Sequence, residues 1–202
     1  MLSVSILSLE DKNKVKDLAK ENINYIHLDI MDGIYVPNKT MDIDDLKPFL
    51  EEIDKPYDVH LMVDDVLKYA KEYQTLNPEI ITFHLDTNSN PLEVINFLKD
   101  YGIKVGIAIK PNESVDIIKP YLDQIDLALI MSVEPGEGGQ TFIEGVTYKI
   151  AELRNLKDSL LIEIDGGIND ETIKLCEGCD IKVVGSYITN GDFKERIESL
   201  ND

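Results

Sequence analysis

Residues 25–38 read YIHLDIMDGIYVPN, and the architecture of the chain follows from how this segment begins and ends. It opens with β-forming residues and is closed by a glycine and a proline, which predicts a strand that stops inside the segment. Successive side chains of a strand point to opposite faces, so His27, Asp29 and Met31 project to the same side. An imidazole and a carboxylate two residues apart at a strand end indicate half of a metal site, an acid–base site, or only a polar strand terminus.

Apolar runs of β-type composition recur along the rest of the chain, and each is followed by an amphipathic stretch with apolar residues at helical spacing. Besides the strand in the opening segment, the predicted strands are residues 2–7, 57–60, 80–84, 104–109, 127–131, 160–165 and 181–184. The predicted helices lie within residues 15–23, 46–50, 66–73, 94–98, 115–118, 146–153, 172–175 and 193–200.

Alternating strands and helices require parallel pairing with right-handed crossovers. Eight units of about 25 residues each fill the 202 residues without a linker, repeat or low-complexity segment. Eight such units normally close into a (β/α)8 TIM barrel, so we expect one α/β domain of this kind over residues 1–202. A doubly wound open sheet is the alternative architecture.

The composition restricts the partners and the compartment. The formal net charge of −19 argues against nucleic acid, whose phosphates need clustered Lys and Arg. No apolar run reaches the roughly 18 residues of a membrane span, and the N-terminus lacks the pattern of a signal peptide, so we expect a cytoplasmic protein without a membrane partner. Cys176 and Cys179 are spaced like a redox pair or half a zinc site, but nothing completes such a site, which favours two buried free thiols.

In a (β/α)8 barrel the chemistry lies at the carboxyl ends of the strands. The polar residues predicted at these ends include all three histidines of the chain and are His27, Asp29, His60, His84, Lys110 and Asp165. Two imidazoles and two carboxylates can surround one divalent ion, and such a set suits Zn, Mn, Fe or Co better than Mg or Ca. Two aspartates on different sides of a cavity can remove and supply a proton, as inversion at a carbon next to a ketone requires.

An anionic substrate would need local compensation, because the net charge repels it at long range. Glycines cluster in the loops after the last three predicted strands, at Gly136, Gly138, Gly139, Gly166, Gly167 and Gly185. Barrels commonly bind phosphate in this region through backbone N–H groups, which glycines allow to approach the anion. These loops therefore predict a phosphate site.

The chain resembles the ribulose-phosphate 3-epimerase family from end to end. The matching segments, in the order of the family, are residues 5–8 (SILS), 27–33 (HLDIMDG), 36–38 (VPN), 58–63 (DVHLMV), 131–136 (MSVEPG), 138–140 (GGQ), 142–143 (FI), 163–168 (EIDGGI) and 185–186 (GS). The resemblance implies an isomerase that interconverts D-ribulose 5-phosphate and D-xylulose 5-phosphate in the pentose phosphate pathway. It also implies a homo-oligomer, either a dimer or a hexamer.

By position in these motifs, one divalent ion, with zinc favoured over Fe, Mn or Co, would be bound by His27, Asp29, His60 and Asp165. Asp29 and Asp165 would be the two acid–base groups. The residues that would contact the phosphorylated ketose are Ser5, His60, Gly136, Glu137, Gly138, Gly139, Gly166, Gly167, Gly185 and Ser186. Three methionines would line the cavity: Met31, Met62 and Met131.

The chain departs from the family pattern at the rim of the predicted site. Glu137 stands where the family usually has an aromatic residue, and because a carboxylate would oppose phosphate, we expect its side chain to point outward. Lys110 replaces the usual asparagine before Pro111, and it either offsets substrate charge or is a solvated strand end. These departures affect the prediction of the sugar more than the prediction of the reaction.

Three other interpretations remain open from the sequence. The same chemistry could act on another ketose phosphate, such as D-allulose 6-phosphate. A phosphate-binding barrel lyase or decarboxylase of the orotidine monophosphate decarboxylase type would need an Asp-x-Lys-x-x-Asp motif, and Asp29 is followed by Met31 instead. A non-catalytic phosphate-binding barrel is disfavoured by the complete set of four ligands.

Overall fold

A computed structural model of the protein, which describes residues 1–200, contains a closed parallel barrel. Its strands are β1 (Leu2–Ser5), β2 (Tyr25–Met31), β3 (Tyr57–Met62), β4 (Ile80–Phe83), β5 (Lys104–Ile109), β6 (Leu127–Met131), β7 (Leu161–Asp165) and β8 (Ile181–Val184). Each strand pairs in parallel with the next, and β8 pairs with β1 to close the barrel. The predicted (β/α)8 fold is confirmed, and the open-sheet alternative is wrong.

Helices connect the strands on the outside of the barrel. The α-helices are α1 (Val15–Leu18), α2 (Ile43–Leu50), α3 (Val66–Tyr73), α4 (Pro91–Asp100), α5 (Tyr148–Leu156), α6 (Ser186–Thr189) and α7 (Phe193–Ser199). Shorter 3-10 helices cover Lys12–Lys14, Gln74–Leu76, Val115–Tyr121, Glu144–Val146 and Thr172–Cys176. Local sequence sets several of the helix starts. Asn90 accepts from the Leu92 N–H before Pro91 begins α4, and Asp65 accepts from the Lys68 N–H at α3.

Three predicted helices differ from the observed ones. The helix expected over residues 15–23 ends at Leu18, and tight turns lead from there into β2. The connections after β5 and β7 are 3-10 helices, in Val115–Tyr121 and Thr172–Cys176. The first contains Pro120, which has no N–H for an α-helical hydrogen bond, so the amphipathic spacing alone did not determine the helix type.

The main apolar core lies between the strands and the helices, and it includes Val4, Ile26, Val59 and Ile81. Inside the barrel the lower part is also apolar, with Ile80, Leu127 and Ile181 among the buried residues. Nearer the carboxyl ends of the strands, buried polar side chains such as His27 and His60 face inward together with the methionines Met62 and Met131. This leaves the polar site at one end of the barrel, held by strands whose other face is fully packed.

Two further expectations can be compared with the structure. Cys176 and Cys179 are buried free thiols, as predicted. Burial raises the pKa of the Cys176 thiol to about 11 and that of Cys179 to about 12, so both are neutral at physiological pH. No helix within residues 1–200 is long and apolar enough to cross a membrane.

Candidate active site

Four polar side chains meet at the carboxyl end of the barrel. They are His27 and Asp29 on β2, His60 on β3 and Asp165 at the end of β7. One nitrogen or oxygen of each lies within 4.8 Å of those of the other three. Asp29 Oδ1 is 3.5 Å from His27 Nε2 and 3.5 Å from His60 Nδ1. His60 Nδ1 is 3.8 Å from Asp165 Oδ2, so the barrel brings together the four residues predicted as metal ligands.

Two nitrogens of this cluster have no hydrogen-bond partner within the described residues 1–200. They are His27 Nε2 and His60 Nδ1, both on fully buried side chains. An unpaired buried nitrogen is costly, and both of these are close to carboxylate oxygens. Imidazole nitrogens with free lone pairs beside carboxylates form the donor set of Zn, Mn, Fe or Co sites. The residues therefore fit one divalent metal ion.

Below the cluster, a second layer of buried polar side chains holds His27. Its Nδ1 is 2.7 Å from Asp58 Oδ2, and Ser3 donates its hydroxyl to the same oxygen at 2.8 Å. Because an ionised carboxylate only accepts hydrogen bonds, His27 donates from Nδ1 to Asp58, and in the neutral ring that a metal ion would need, Nε2 would be free. Burial alone would lower the pKa of His27, but the charges of Asp58 and Asp29 raise it well above its ordinary value. Glu163 places an oxygen within 4.8 Å of both His27 and Asp58. Burial and then the Asp58 charge raise the pKa of Glu163 well above its ordinary value.

The residues of this second layer were not among the predicted site residues. Asp58 and Glu163 each precede a predicted ligand by two residues, the spacing that places strand side chains on the same face. That periodicity, with an acidic residue inside an apolar strand, was the available signal.

The third histidine lies outside the four-residue cluster. His84 follows β4, is fully buried, and places its Nε2 2.9 Å from His60 Nε2. Burial, followed by His60 and Lys110, lowers the pKa of His84 well below its ordinary value. Lys110 is paired with Asp86, and its ammonium lies 5.0 Å from the centroid of the Tyr35 ring. Lys110 is therefore not a solvated strand end.

The pKa values of the two site aspartates are displaced in opposite directions. Burial alone would raise the pKa of Asp29, but the His27 and His60 rings lower it below its ordinary range. Burial and the charge of Asp29 raise the pKa of Asp165 to about 6. Ser5 donates its hydroxyl to Asp29 Oδ2 at 2.6 Å, which also favours the ionised form. A carboxylate that stays ionised beside one that can hold a proton suits acid–base chemistry.

A cavity adjoins the cluster and is lined by most of the predicted site residues. These are Ser5, Asp29, Met31, Met62, Met131, Gly136, Glu137, Gly138, Gly139, Asp165, Gly166, Gly167, Gly185 and Ser186. His27 and His60 are fully buried. Lining residues that the sequence analysis did not assign to the site are Leu7, Ser8, Val133, Glu134, Pro135, Gln140, Ile168 and Val183. Nearly all of them adjoin a predicted site residue or belong to a quoted motif.

Two glycines of these loops lie too close to their neighbours for a larger side chain. A Cβ at Gly136 would lie 2.9 Å from Val36 Cβ, and one at Gly167 would lie 2.4 Å from the Phe142 backbone nitrogen. Both glycines also have positive φ, +115° and +65°. Asn38 donates to the Gly136 carbonyl at 2.8 Å and so ties the loops after β2 and β6 together.

Two features of the rim bear on the predicted phosphate site. Gly185 and Ser186 join β8 to the short helix α6, which the sequence analysis did not predict. Glu137 is exposed and belongs to the cavity lining, and the outward direction expected for its side chain stays a prediction. The last three βα loops therefore form one wall of the cavity, as the glycine pattern indicated.

A closed parallel barrel with a buried His/Asp cluster at the carboxyl ends of its strands has the architecture of the (β/α)8-barrel enzymes, whose active sites lie at that end. Comparison with solved structures agrees on the fold. The 3-hexulose-6-phosphate synthase from Salmonella typhimurium superposes with a TM-score of 0.76 at 15% sequence identity, over 98% of this chain and 95% of that one.

Comparison with known sequences identifies the family. The family model described as "Ribulose-phosphate 3 epimerase family" matches residues 1–189 of this chain. A "Ribulose-phosphate 3-epimerase" of Helicobacter pylori (strain ATCC 700392 / 26695) is 37% identical over 206 residues, which cover 98% of this chain and 95% of the relative. That of Bacillus subtilis (strain 168) is 36% identical over 196 residues, covering 93% and 90%. The chain belongs to the ribulose-phosphate 3-epimerase family and is an isomerase.

Proposed function

We propose that the protein interconverts D-ribulose 5-phosphate and D-xylulose 5-phosphate by epimerisation at C3. Membership of the family supports this reaction, and the names of the relatives support the substrate. The observation that carries the proposal is the pair formed by Asp29 and Asp165. These two carboxylates come from strands far apart in sequence, line one cavity, and have pKa values displaced in opposite directions.

The displaced pKa values support one order of proton transfer. The lowered pKa of Asp29 favours its carboxylate form, which removes the C3 proton of the substrate, and the electron pair of the broken C–H bond moves toward the C2 carbonyl oxygen to give an enediolate. Asp165, whose pKa is raised to about 6, supplies a proton to C3 from the other side, which inverts the centre. In the reverse direction the two aspartates exchange roles.

The proposal includes one divalent metal ion, bound by His27, Asp29, His60 and Asp165. Zinc is favoured, with Fe, Mn and Co as alternatives, because the donor set mixes imidazoles and carboxylates. Such an ion would polarise the ketone as a Lewis acid and stabilise the negative charge of the enediolate. The fully buried His27 is oriented by Asp58, which fixes the ring independently of the substrate.

The phosphate of the substrate would bind in the glycine wall of the cavity. The residues proposed to bind the phosphate are Gly136, Gly138, Gly139, Gly166, Gly167, Gly185 and Ser186, with Glu137 at the rim of the cavity. Backbone N–H groups supply the local attraction that a chain of net charge −19 needs for an anion. Ser5 would contact the sugar, and Met31, Met62 and Met131 would line the space around the reacting carbons. His60 is fully buried and is not part of the cavity lining, so its contact with the sugar stays a prediction of the sequence.

The other expectations from the sequence remain proposals of the same account. They are a single domain over residues 1–202, a place in the pentose phosphate pathway, a cytoplasmic location, and a dimer or hexamer. The identity of the sugar is tested by the initial rates of epimerisation of D-ribulose 5-phosphate and D-allulose 6-phosphate under the same conditions. We expect a higher kcat/KM for the pentulose. A higher value for the hexulose would replace the proposed substrate while leaving the chemistry intact.

A further inference from the structure

His84 is a buried polar residue that the proposed reaction does not use. It follows β4 directly, is 0% exposed, and packs against the ring of His60 with centroids 5.1 Å apart. The two Nε2 atoms are 2.9 Å apart, a hydrogen-bonding distance. His84 therefore contacts a proposed metal ligand on the nitrogen that does not face the carboxylates.

The contact between the two rings constrains where their protons lie. A neutral imidazole carries one proton, so only one of the two Nε2 atoms can donate in this hydrogen bond. His60 faces Asp29 and Asp165 with its Nδ1, at 3.5 Å and 3.8 Å. A metal ion needs a free lone pair on that Nδ1, which requires the His60 proton to be on Nε2. His84 must then accept at Nε2 and carry its own proton on Nδ1.

We propose that His84 is a positioning residue, which accepts a hydrogen bond from His60 Nε2–H and so holds His60 Nδ1 free and directed at the ion. This rests on the proposed metal site. A ligating histidine generally has its second nitrogen fixed by an acceptor, most often a carboxylate or a backbone carbonyl. His27 follows that rule through Asp58, whereas His60 uses another imidazole.

The surroundings of His84 hold its ring in place. The Tyr35 ring packs against it with centroids 5.1 Å apart, tilted by 37°. Tyr35 is itself fixed, because its hydroxyl donates to Asp86 Oδ1 at 2.8 Å and Lys110 pairs with the same carboxylate. These contacts link the rim of the barrel to a metal ligand and restrict rotation of the His84 ring away from His60.

The direct test is the tautomeric state of each histidine in the wild-type protein. The chain has only three histidines, so 15N-labelled histidine gives a simple spectrum. In protein loaded with 113Cd, we expect nitrogen–cadmium coupling at His27 Nε2 and His60 Nδ1. His84 should show no coupling, a proton on Nδ1 and an unprotonated Nε2.

The possible outcomes separate the inference from the metal site. Absence of coupling at every histidine would overturn the metal site, and this inference with it. Coupling at His27 and His60 with a proton on His84 Nε2 would overturn the inference alone. Coupling at His84 itself would make it a ligand, which also contradicts a positioning role.

A second test compares the zinc dissociation constants of variants by competition with a chelator. His84→Leu removes the acceptor, and we expect zinc affinity to fall about 10- to 100-fold, the usual effect of losing such a partner. His84→Gln keeps an acceptor oxygen near the position of Nε2 and should stay within about fivefold of wild type. Thr82→Val, two residues earlier on the same inward face, is the matched control and should bind zinc as wild type does. Equal weakening in His84→Gln and His84→Leu would indicate a packing effect and overturn the inference.

Discussion

Identical side chains acquire different properties in this barrel because of their immediate neighbours. Asp29 lies between two histidine rings and a serine hydroxyl, which favour its ionised form. Asp165 has a half-buried carboxylate beside the charge of Asp29, and both effects favour its protonated form. The sequence identified both aspartates by their position at strand ends, but their different pKa values depend on contacts that only the closed barrel creates.

Gly167, in the loop after β7, gives a prediction that separates the effect of steric crowding from the effect of backbone strain. Gly167→Ala would place a Cβ 2.4 Å from the Phe142 nitrogen at φ +65°. Gly102→Ala is the matched control, because Gly102 has a similar φ of +72°. An added Cβ there would have no atom of the described residues 1–200 within 4 Å. Urea unfolding should show that Gly167→Ala loses about 1–3 kcal/mol more than Gly102→Ala. Equal losses would mean that the Phe142 backbone can move away.

The strands follow the sequence closely, whereas the connections do not. Predicted bounds for β5, β6 and β8 match the observed ones, because continuous apolar β-type runs are typical of strands buried on both faces. The helix type after β5 and the short helix α6 depend on loop geometry and packing, which apolar spacing does not encode. The candidate ligands were predictable because strand ends are predictable. The contacts of Asp58 with His27 and of His84 with His60 join neighbouring strands, so they are visible only once the strand register is known.

A buried lysine on α5 gives a prediction about how a helix is attached to the barrel. Lys149 is 0% exposed and donates to the carbonyls of Lys110 at 2.6 Å and Pro111 at 2.9 Å. Lys149→Met keeps the length of the side chain but leaves these carbonyls without their donor. We expect a loss of about 1–3 kcal/mol in the free energy of unfolding. The exposed Lys99→Met on α4 should change it by less than about 0.5 kcal/mol. Similar values for the two variants would contradict this attachment.

Closure of the barrel creates the site, since Asp29 and Asp165 are separated by most of the chain and meet only when β8 pairs with β1. The same closure buries two unpaired imidazole nitrogens next to two carboxylates. An ion that binds this cluster would bind the folded protein and not the unfolded chain. Binding of such an ion would therefore be coupled to folding.

Removal of metal should lower the thermal stability of the whole molecule. Free zinc at 100 times its dissociation constant would stabilise the fold by about 2.7 kcal/mol, which corresponds to about 5–10 °C in Tm for a domain of this size. Differential scanning calorimetry with zinc and with a chelator measures the difference. His27→Leu lacks one ligand and should show a much smaller difference. Equal Tm values for the wild type in both conditions would contradict a metal bound by the native state.

The most direct test of the proposed chemistry is the initial rate of D-xylulose 5-phosphate formation by Asp29→Asn and Asp165→Asn. Each substitution removes a proton-transfer group while keeping the size of the side chain, so we expect both rates to fall by about 10²- to 10⁴-fold. Asp170→Asn, an exposed aspartate in the same β7 loop, should retain the wild-type rate. A rate within tenfold of wild type in either Asp29→Asn or Asp165→Asn would contradict epimerisation by two aspartates.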